Sequence, residues 1–317
     1  MTTTHTLSRR RFLSNASLAA AALALPGRAL FSQEASPFLA NYRKQAADVK
    51  VQTKPLRGNI SALFVYGGNM AVLPGKDGKL IIDSGVSTSR PQIAAAIAAL
   101  SADPVAHLIN THWHFDHTDG NEWMHAAGAT ILAHKNTQTR LSTPQYMEVI
   151  DTHFPPSPAG AIPTEIFTDT KTLHLNGETI HLAHYAPAHT DTDISVYFEH
   201  ADVLHVADTW FNGFYPLIDL SSGGNINGMV AAANKSLALA SANTIIIPGH
   251  GPIGDKAKLT EYRDMLATVR DNVAALKKQG KTLEETIAAK PSAKYDAAWG
   301  GGMMNPAAFV TLVYKSV

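Results

Sequence analysis

The chain has 317 residues, of which 45% are hydrophobic and 16% charged, a composition typical of a folded protein with a sizeable core rather than a disordered one. Lys and Arg number 26, as do Asp and Glu, so the formal net charge is zero, which disfavours a nucleic-acid binder acting through a basic face. The lack of cysteine excludes disulfides, cysteine-ligated zinc and thiol nucleophiles.

The first 29 residues are predicted to form an export signal. Arg9, Arg10 and Arg11 are followed by Phe-Leu and then by an apolar run at residues 18–25 that is too short to span a bilayer. The paired arginines resemble the twin-arginine signal. We therefore expect the twin-arginine translocase as an export partner and a periplasmic location. Since no later stretch is long and apolar enough, we expect no stable membrane anchor.

The remaining chain is predicted to consist of a lead-in over residues 30–54, with one helix at 37–47, and a domain over residues 55–317. In chain order, the first block of the domain has strands at 60–66, 70–73 and 80–82, a helix at 90–100, a strand at 106–110, a helix at 122–127 and a strand at 130–133. Region 144–163 holds five prolines and is predicted to be a long irregular loop. The second block has strands at 173–175, 179–184, 194–198 and 203–206, a helix at 226–240, a strand at 244–247, and helices at 256–279, 283–289 and 306–315. Two strand-rich blocks, each followed by helices, predict two packed sheets with helices outside.

The densest chemical signal comes directly after the strand at 106–110, where residues 111–117 are Thr-His-Trp-His-Phe-Asp-His. Three histidines and an aspartate this close together are typical of a metal site. In an extended backbone His112 and His114 point to the same side. Imidazole and carboxylate ligands without a thiol suit zinc first, with iron and manganese as alternatives.

Three further candidate ligands each follow an apolar stretch of chain. His189 lies in the sequence Ala-Pro-Ala-His-Thr, Asp208 follows the strand at 203–206, and His250 follows the strand at 244–247. Side chains that carry function cluster where strands end in loops. We therefore expect these three to converge on the histidine-rich segment.

Together these residues resemble the metallo-β-lactamase superfamily of hydrolases, over about residues 55–255. The resemblance implies an α/β (α+β) fold, a four-layer αββα sandwich with the metals at one edge. It implies one zinc ion bound by His112, His114 and His189, and a second bound by Asp116, His117 and His250, with Asp208 bridging the two. Asp83 matches an aspartate that in the family supports the metal loop through hydrogen bonds. Asp119 stands where a glycine is common.

The resemblance implies a dinuclear zinc hydrolase that attacks the carbonyl of a small ester, lactone, thioester or lactam with a metal-bridging hydroxide. Asp116 is the expected catalytic residue, which orients the hydroxide and moves its proton to the leaving group. Familiar zinc β-lactamases have Cys in place of Asp208, so the ligand set looks more like that of glyoxalase II and lactonases. The expected partner is therefore a small-molecule substrate and not nucleic acid.

Two alternatives stay open from the sequence. The first is an iron-dependent enzyme like the persulfide dioxygenases, which share this scaffold. The second is a non-catalytic periplasmic metal-binding accessory of a quinoprotein dehydrogenase system. Oxygen consumption on thiol persulfides favours the first, and a metal-loaded protein inert to esters, lactones and lactams favours the second.

Aromatic residues give the few clues to the substrate. Four of them come soon after Asp208 and either line an apolar pocket or pack in the core: Trp210, Phe211, Phe214 and Tyr215. Phe154, in the proline-rich region, is a candidate lid residue. Trp113 and Phe115 alternate with the ligands and are expected to pack as support.

Overall fold

The structure is a computed structural model that describes residues 36–317. The predicted signal peptide, residues 1–29, lies outside the described residues. From Ser36 on, the predicted lead-in belongs to the same unit as the rest of the chain. Within residues 36–317, no helix combines the length and apolarity that a membrane crossing requires.

The secondary structure of residues 36–317 alternates between strands and helices. In chain order, the strands are β1 (Gln52–Pro55), β2 (Ser61–Phe64), β3 (Met70–Leu73), β4 (Lys79–Ile82), β5 (Val105–Ile109), β6 (Thr130–His134), β7 (Gln145–Met147), β8 (Thr152–Phe154), β9 (Glu165–Phe167), β10 (Thr170–Leu175), β11 (Glu178–His184), β12 (Ile194–Phe198), β13 (Val203–Phe211) and β14 (Ile245–His250). The helices are α1 (Pro37–Ala47), α2 (Arg90–Leu100), α3 (Phe115–Thr118), α4 (Asn121–Ala126), α5 (Lys135–Ser142), α6 (Ile226–Leu239), α7 (Lys256–Lys278), α8 (Leu283–Ala288), α9 (Ala293–Trp299) and α10 (Pro306–Ser316).

The strands form two large sheets and one small hairpin. The first sheet has the strand order β1-β2-β3-β4-β5-β6-β9, and the second has the order β10-β11-β12-β13-β14. Strands β4, β5, β6 and β9 pair in parallel, as do β13 and β14. The carboxyl ends of parallel neighbours meet at one edge, so β5 delivers its loop beside that of β4, and β14 ends beside β13.

Side-chain alternation along β3 shows how the layers are built. Ala71 and Leu73 lie in the core between the two sheets, whereas Met70 and Val72 lie in a second core under α2 and α4. The outer face of the second sheet packs on α6, α7 and α10 in a third core around Phe309. The order helix, sheet, sheet, helix confirms the predicted αββα sandwich.

Two tight turns join neighbouring antiparallel strands into hairpins. Strands β3 and β4 pair across the turn at residues 76–78, and β10 pairs with β11 across Asn176-Gly177. Asn176 has φ 55° and Gly177 has φ 80°, the left-handed pair that a tight two-residue hairpin turn requires.

The irregular loop predicted over residues 144–163 is wrong in part. Strands β7 and β8 pair into a short hairpin there, with Asp151 at φ 44° in the turn. The prolines lie outside the paired residues, where they remove no ladder hydrogen bond. The sequence also missed β1, which is exposed along its length and has no apolar alternation, and α9, which has no side-chain cap.

Candidate metal centre

The seven predicted ligands lie together at one edge of the sandwich. Their ligand atoms form two groups, and within each group they lie within 4.8 Å of one another: His112, His114, His189 and Asp208 in the first, and Asp116, His117 and His250 in the second. The segment after β5 supplies four of them, and the other three come from the loop after β11, from β13 and from the end of β14. Folding therefore brings together side chains that are as much as half of the chain apart.

Asp208 lies between the two groups. Its Oδ2 is 3.4 Å from His189 Nε2 in the first group and 3.3 Å from His250 Nε2 in the second. Its Oδ1 is 3.0 Å from His117 Nε2. One carboxylate thus reaches both groups, which is the position that a bridging ligand requires.

The outer ring nitrogens of His112 and His117 are held by neighbours. His117 Nδ1 is 2.7 Å from Asp83 Oδ2, and His112 Nδ1 is 3.1 Å from the Thr111 hydroxyl oxygen. Thr111 donates its own proton to Asp83 at 2.7 Å, so its oxygen accepts from His112. Both rings therefore carry a proton on Nδ1, so Nε2 is the atom of each ring that faces the centre and would bind a metal ion. The support expected from Asp83 is present.

His114 and His189 are fixed in the same way by different partners. His114 donates from Nε2 to Asp219 Oδ2 at 3.0 Å, and His189 donates from Nδ1 to the Leu217 carbonyl at 2.8 Å. Their remaining ring nitrogens, His114 Nδ1 and His189 Nε2, lie 2.8 Å apart. Asp219 was missed by sequence analysis, because no motif marks it.

Buried polar atoms at the centre fit a metal ion. His112 Nε2, His117 Nε2 and Asp208 Oδ1 are buried and have no hydrogen-bond partner among residues 36–317. Leaving a buried polar atom unpaired costs about 1–3 kcal/mol, so three such atoms in one cluster require an explanation. Divalent cations that prefer imidazole and carboxylate ligands satisfy all three at once.

The charges of the centre depend on its aspartates. Burial opposes a charged His117, but Asp208, Asp83 and Asp116 outweigh it and raise the pKa of His117 well above its ordinary value. Burial likewise opposes a charged His250, yet Asp208 and Asp116 raise the pKa of His250 to about 9. Burial lowers the pKa of His112 well below its ordinary value, with a further contribution from His117. In metal-free protein His117 and His250 are therefore protonated at neutral pH.

Two glycines allow the backbone to approach the ligands closely. A Cβ added at Gly68 would lie 2.0 Å from Cε1 of His117, and one added at Gly249 would lie 1.9 Å from Oδ1 of Asp208. No larger residue fits at either position while the ligand keeps its place. No motif marks Gly68, which lies 49 residues before His117.

An apolar cavity of about 220 Å³ opens onto the metal centre. Phe211, Phe214 and Tyr215 line it, as the sequence suggested, whereas Trp210 is fully buried in the core. Phe115 also lines the cavity, so its predicted supporting role was incomplete. Phe154 stacks behind Phe115, with ring centroids 5.8 Å apart, and does not line this cavity.

The wall of this cavity also includes residues that sequence analysis did not identify. Phe38 and Tyr42 come from α1, and Met303 comes from the loop before α10. Arg43 anchors α1 to the metal loop through an ion pair of 2.6 Å with Asp119. Asp119 thus fixes one wall of the cavity. It is the aspartate that stands where a glycine is common in the family.

A comparison with models of protein families shows to which family the chain belongs. The model of the metallo-β-lactamase superfamily matches residues 63–266, which is more than half of the chain. The chain belongs to the metallo-β-lactamase superfamily. Its cluster of His and Asp residues lies within the matched region. The segment that carries α1 lies outside the match.

Individual relatives within the superfamily are distant. Hydroxyacylglutathione hydrolase of Polaromonas sp. (strain JS666 / ATCC BAA-500) is 28% identical over 183 residues, 57% of this chain and 59% of that protein. Among solved structures, the stereoselective inverting sec-alkylsulfatase Pisa1 from Pseudomonas sp. has a TM-score of 0.65 at 15% identity, over 86% of this chain and 51% of that one. A metallo-β-lactamase from Pontibacter korlensis has a TM-score of 0.57 at 16% identity, over 69% of this chain and 99% of that one. These two structures share the fold, and the chain spans about half to three-fifths of the first two relatives.

Replacing Asp219 by asparagine is expected to weaken the first group. The variant keeps the size of the side chain but removes the negative charge that accepts the His114 proton. Loss of such a partner lowers metal affinity by about 10–100-fold. Competition with a chromophoric chelator measures the affinity. Asp255→Asn, which exchanges one good helix cap for another at the start of α7, is the matched control and leaves affinity unchanged.

Zinc binding to metal-free protein is expected to release protons. At pH 7.5 the pKa of His250, about 9, and the raised pKa of His117 leave both rings protonated, and each must lose a proton to bind zinc. Apparent affinity therefore rises as the pH increases through 9. Calorimetric titrations in buffers of different ionisation enthalpy count the protons. Heats that do not depend on the buffer contradict this prediction.

Proposed function

We propose that the protein is a dinuclear zinc hydrolase of small esters, lactones, thioesters or lactams. The observation that carries the proposal is the placement of Asp208 between two groups of ligands, within 3.4 Å of His189 in one and of His250 in the other. The name of the Polaromonas relative, hydroxyacylglutathione hydrolase, supports hydrolysis at an acyl group. The exclusively imidazole and carboxylate ligands support zinc.

The ligands divide between two ions. His112, His114 and His189 would hold a first ion and Asp116, His117 and His250 a second, with Asp208 within reach of both groups. When bound, two such ions lower the pKa of a shared water and polarise the substrate carbonyl.

Asp116 is the proton carrier in this proposal. It lines the cavity, and its Oδ2 lies 3.4 Å from His250 Nε2 and 3.8 Å from His117 Nε2. Although burial opposes ionisation, His117 and His250 keep the pKa of Asp116 below its ordinary value. An ionised Asp116 can orient the attacking water by accepting its proton and then pass that proton to the leaving atom.

A hydrolysis panel on protein reconstituted with zinc, iron or manganese tests the function. We expect two zinc ions per chain and turnover of at least one of the four carbonyl classes. Iron occupancy with oxygen consumption on thiol persulfides would establish the dioxygenase alternative instead. Metal binding without turnover of any substrate would establish the accessory alternative.

We also propose export through the twin-arginine pathway to the periplasm. The support is the sequence of residues 8–13, Ser-Arg-Arg-Arg-Phe-Leu, followed by a short apolar run. The double variant Arg9→Lys/Arg10→Lys is expected to remain in the cytoplasm as the uncleaved precursor, and cell fractionation with immunoblotting measures this. Normal periplasmic delivery of the variant would reject the proposal.

A further inference from the structure

The cavity beside the metal centre is lined by apolar side chains from four separate parts of the chain. Helix α1 contributes Phe38, the end of β13 and the loop after it contribute Phe211 and Phe214, and the loop before α10 contributes Met303. The hairpin of β7 and β8 contributes Met147. A substrate whose carbonyl reaches the metal centre must place its remaining atoms among these side chains.

No lysine or arginine is found among the described residues that line the cavity. Two cations, one on α1 and one on α10, already have carboxylate partners. Arg43, next to Tyr42 on α1, pairs with Asp119 at 2.6 Å. Lys315, on α10, pairs with Glu148 at 2.7 Å. A negative charge on the distal end of a substrate would therefore lose its hydration without gaining a counter-charge.

The size of the cavity limits its occupant. Its volume of about 220 Å³ lies below the roughly 300–1,000 Å³ typical of pockets that enclose drug-sized ligands. A short alkyl chain or a single ring fits this space, whereas a peptide-like group must extend outside it.

We infer that the enzyme selects small, uncharged carbonyl substrates: neutral esters or lactones whose acyl group is apolar. This inference rests on the proposed hydrolase function and adds to it the chemical class of the substrate. The carbonyl lies at the metal centre, and the acyl group lies between Phe38, Phe211 and Met303. A carboxylate at the far end of the acyl group prevents productive binding.

Two esters of equal chain length test the inference. 4-Nitrophenyl hexanoate and mono-4-nitrophenyl adipate differ only in the terminal group of a six-carbon acyl chain, a methyl in one and a carboxylate in the other. With zinc-loaded protein, and with metal-free protein as the blank, we expect kcat/KM to be about a hundredfold higher for the hexanoate. Equal or faster hydrolysis of the adipate overturns the inference but leaves the hydrolase function intact. Hydrolysis of neither ester overturns the inference, and the hydrolysis panel described above then decides the hydrolase function.

A charge placed at the cavity mouth gives a second test. Met303 is 59% exposed, so Met303→Lys is compatible with folding and supplies the missing cation. We expect this variant to raise kcat/KM for the adipate about tenfold and to lower that for the hexanoate, because a charge replaces an apolar contact with the acyl group. Leu239→Lys is the matched control, because Leu239 is 46% exposed and lies on α6 outside the cavity. An equal gain in both variants would show a general effect of charge and would count against selection by the cavity.

Discussion

Replacing Asp208 by alanine is expected to abolish binding of both metal ions and to lower kcat/KM by about a thousandfold or more, equivalent to about 4 kcal/mol of transition-state stabilisation. The reason is its position, since one carboxylate faces His189, His250 and His117. The variant lacks the carboxylate whose negative charge offsets the positive charges of the two metal ions. Metal analysis after gel filtration and steady-state kinetics measure the two effects.

Comparison variants show which property of Asp208 matters. Asp208→Asn keeps the shape and loses the charge, so it should resemble the alanine variant. His114→Ala removes a ligand from the first group alone. We expect kcat to fall by several orders of magnitude, while the second group can still bind a metal ion. Asp264→Asn, an exposed position on α7, should match the wild type in metal content and activity. Two retained metal ions in Asp208→Ala would contradict the bridging role.

Replacing Gly68 by alanine is the second change for which we expect a large effect. The added methyl would lie 2.0 Å from Cε1 and 2.3 Å from Nε2 of His117, well inside contact distance. The His117 ring cannot move away easily, because Asp83 holds its Nδ1 at 2.7 Å. We expect about 10–100-fold weaker binding of the second ion, as for the loss of a ligand-positioning contact, together with about 1–3 kcal/mol of destabilisation from overpacking.

Zinc affinity and thermal unfolding of the Gly68→Ala variant measure these effects. Gly160→Ala is the matched control, because a Cβ there would be 3.5 Å from the nearest atom, an ordinary contact. Neither glycine has a positive φ, so the two variants differ in crowding alone. Wild-type zinc affinity in Gly68→Ala would mean that the His117 ring is free to shift.

Much of the metal centre could be predicted from the sequence because its largest part is local. Residues 112–117 lie in one segment, and His250 follows a run of buried isoleucines that marks its strand. Periodicity also predicted the helix–sheet–sheet–helix order, since alternation along strands such as β3 fixes which face meets the other sheet.

The parts that the sequence did not reveal depend on tertiary contacts. Asp219 supports the metal centre because it lies 3.0 Å from His114 Nε2. Gly68 matters because the His117 ring lies against it. Nothing in the sequence distinguishes Phe38 and Met303 from other apolar residues. Only the fold shows that both line the same cavity. The hairpin of β7 and β8 was missed because its prolines indicated a loop, although they only flank the paired residues.

The segments that close the cavity on two sides, α1 and the loop of Met303, contribute none of the seven side chains of the metal centre. Chemistry and recognition are thus encoded in separate stretches of this polypeptide. Chimeras that exchange residues 37–47 or 300–305 with those of another member of the superfamily could retarget the enzyme to new compounds while its hydrolytic apparatus stays as it is.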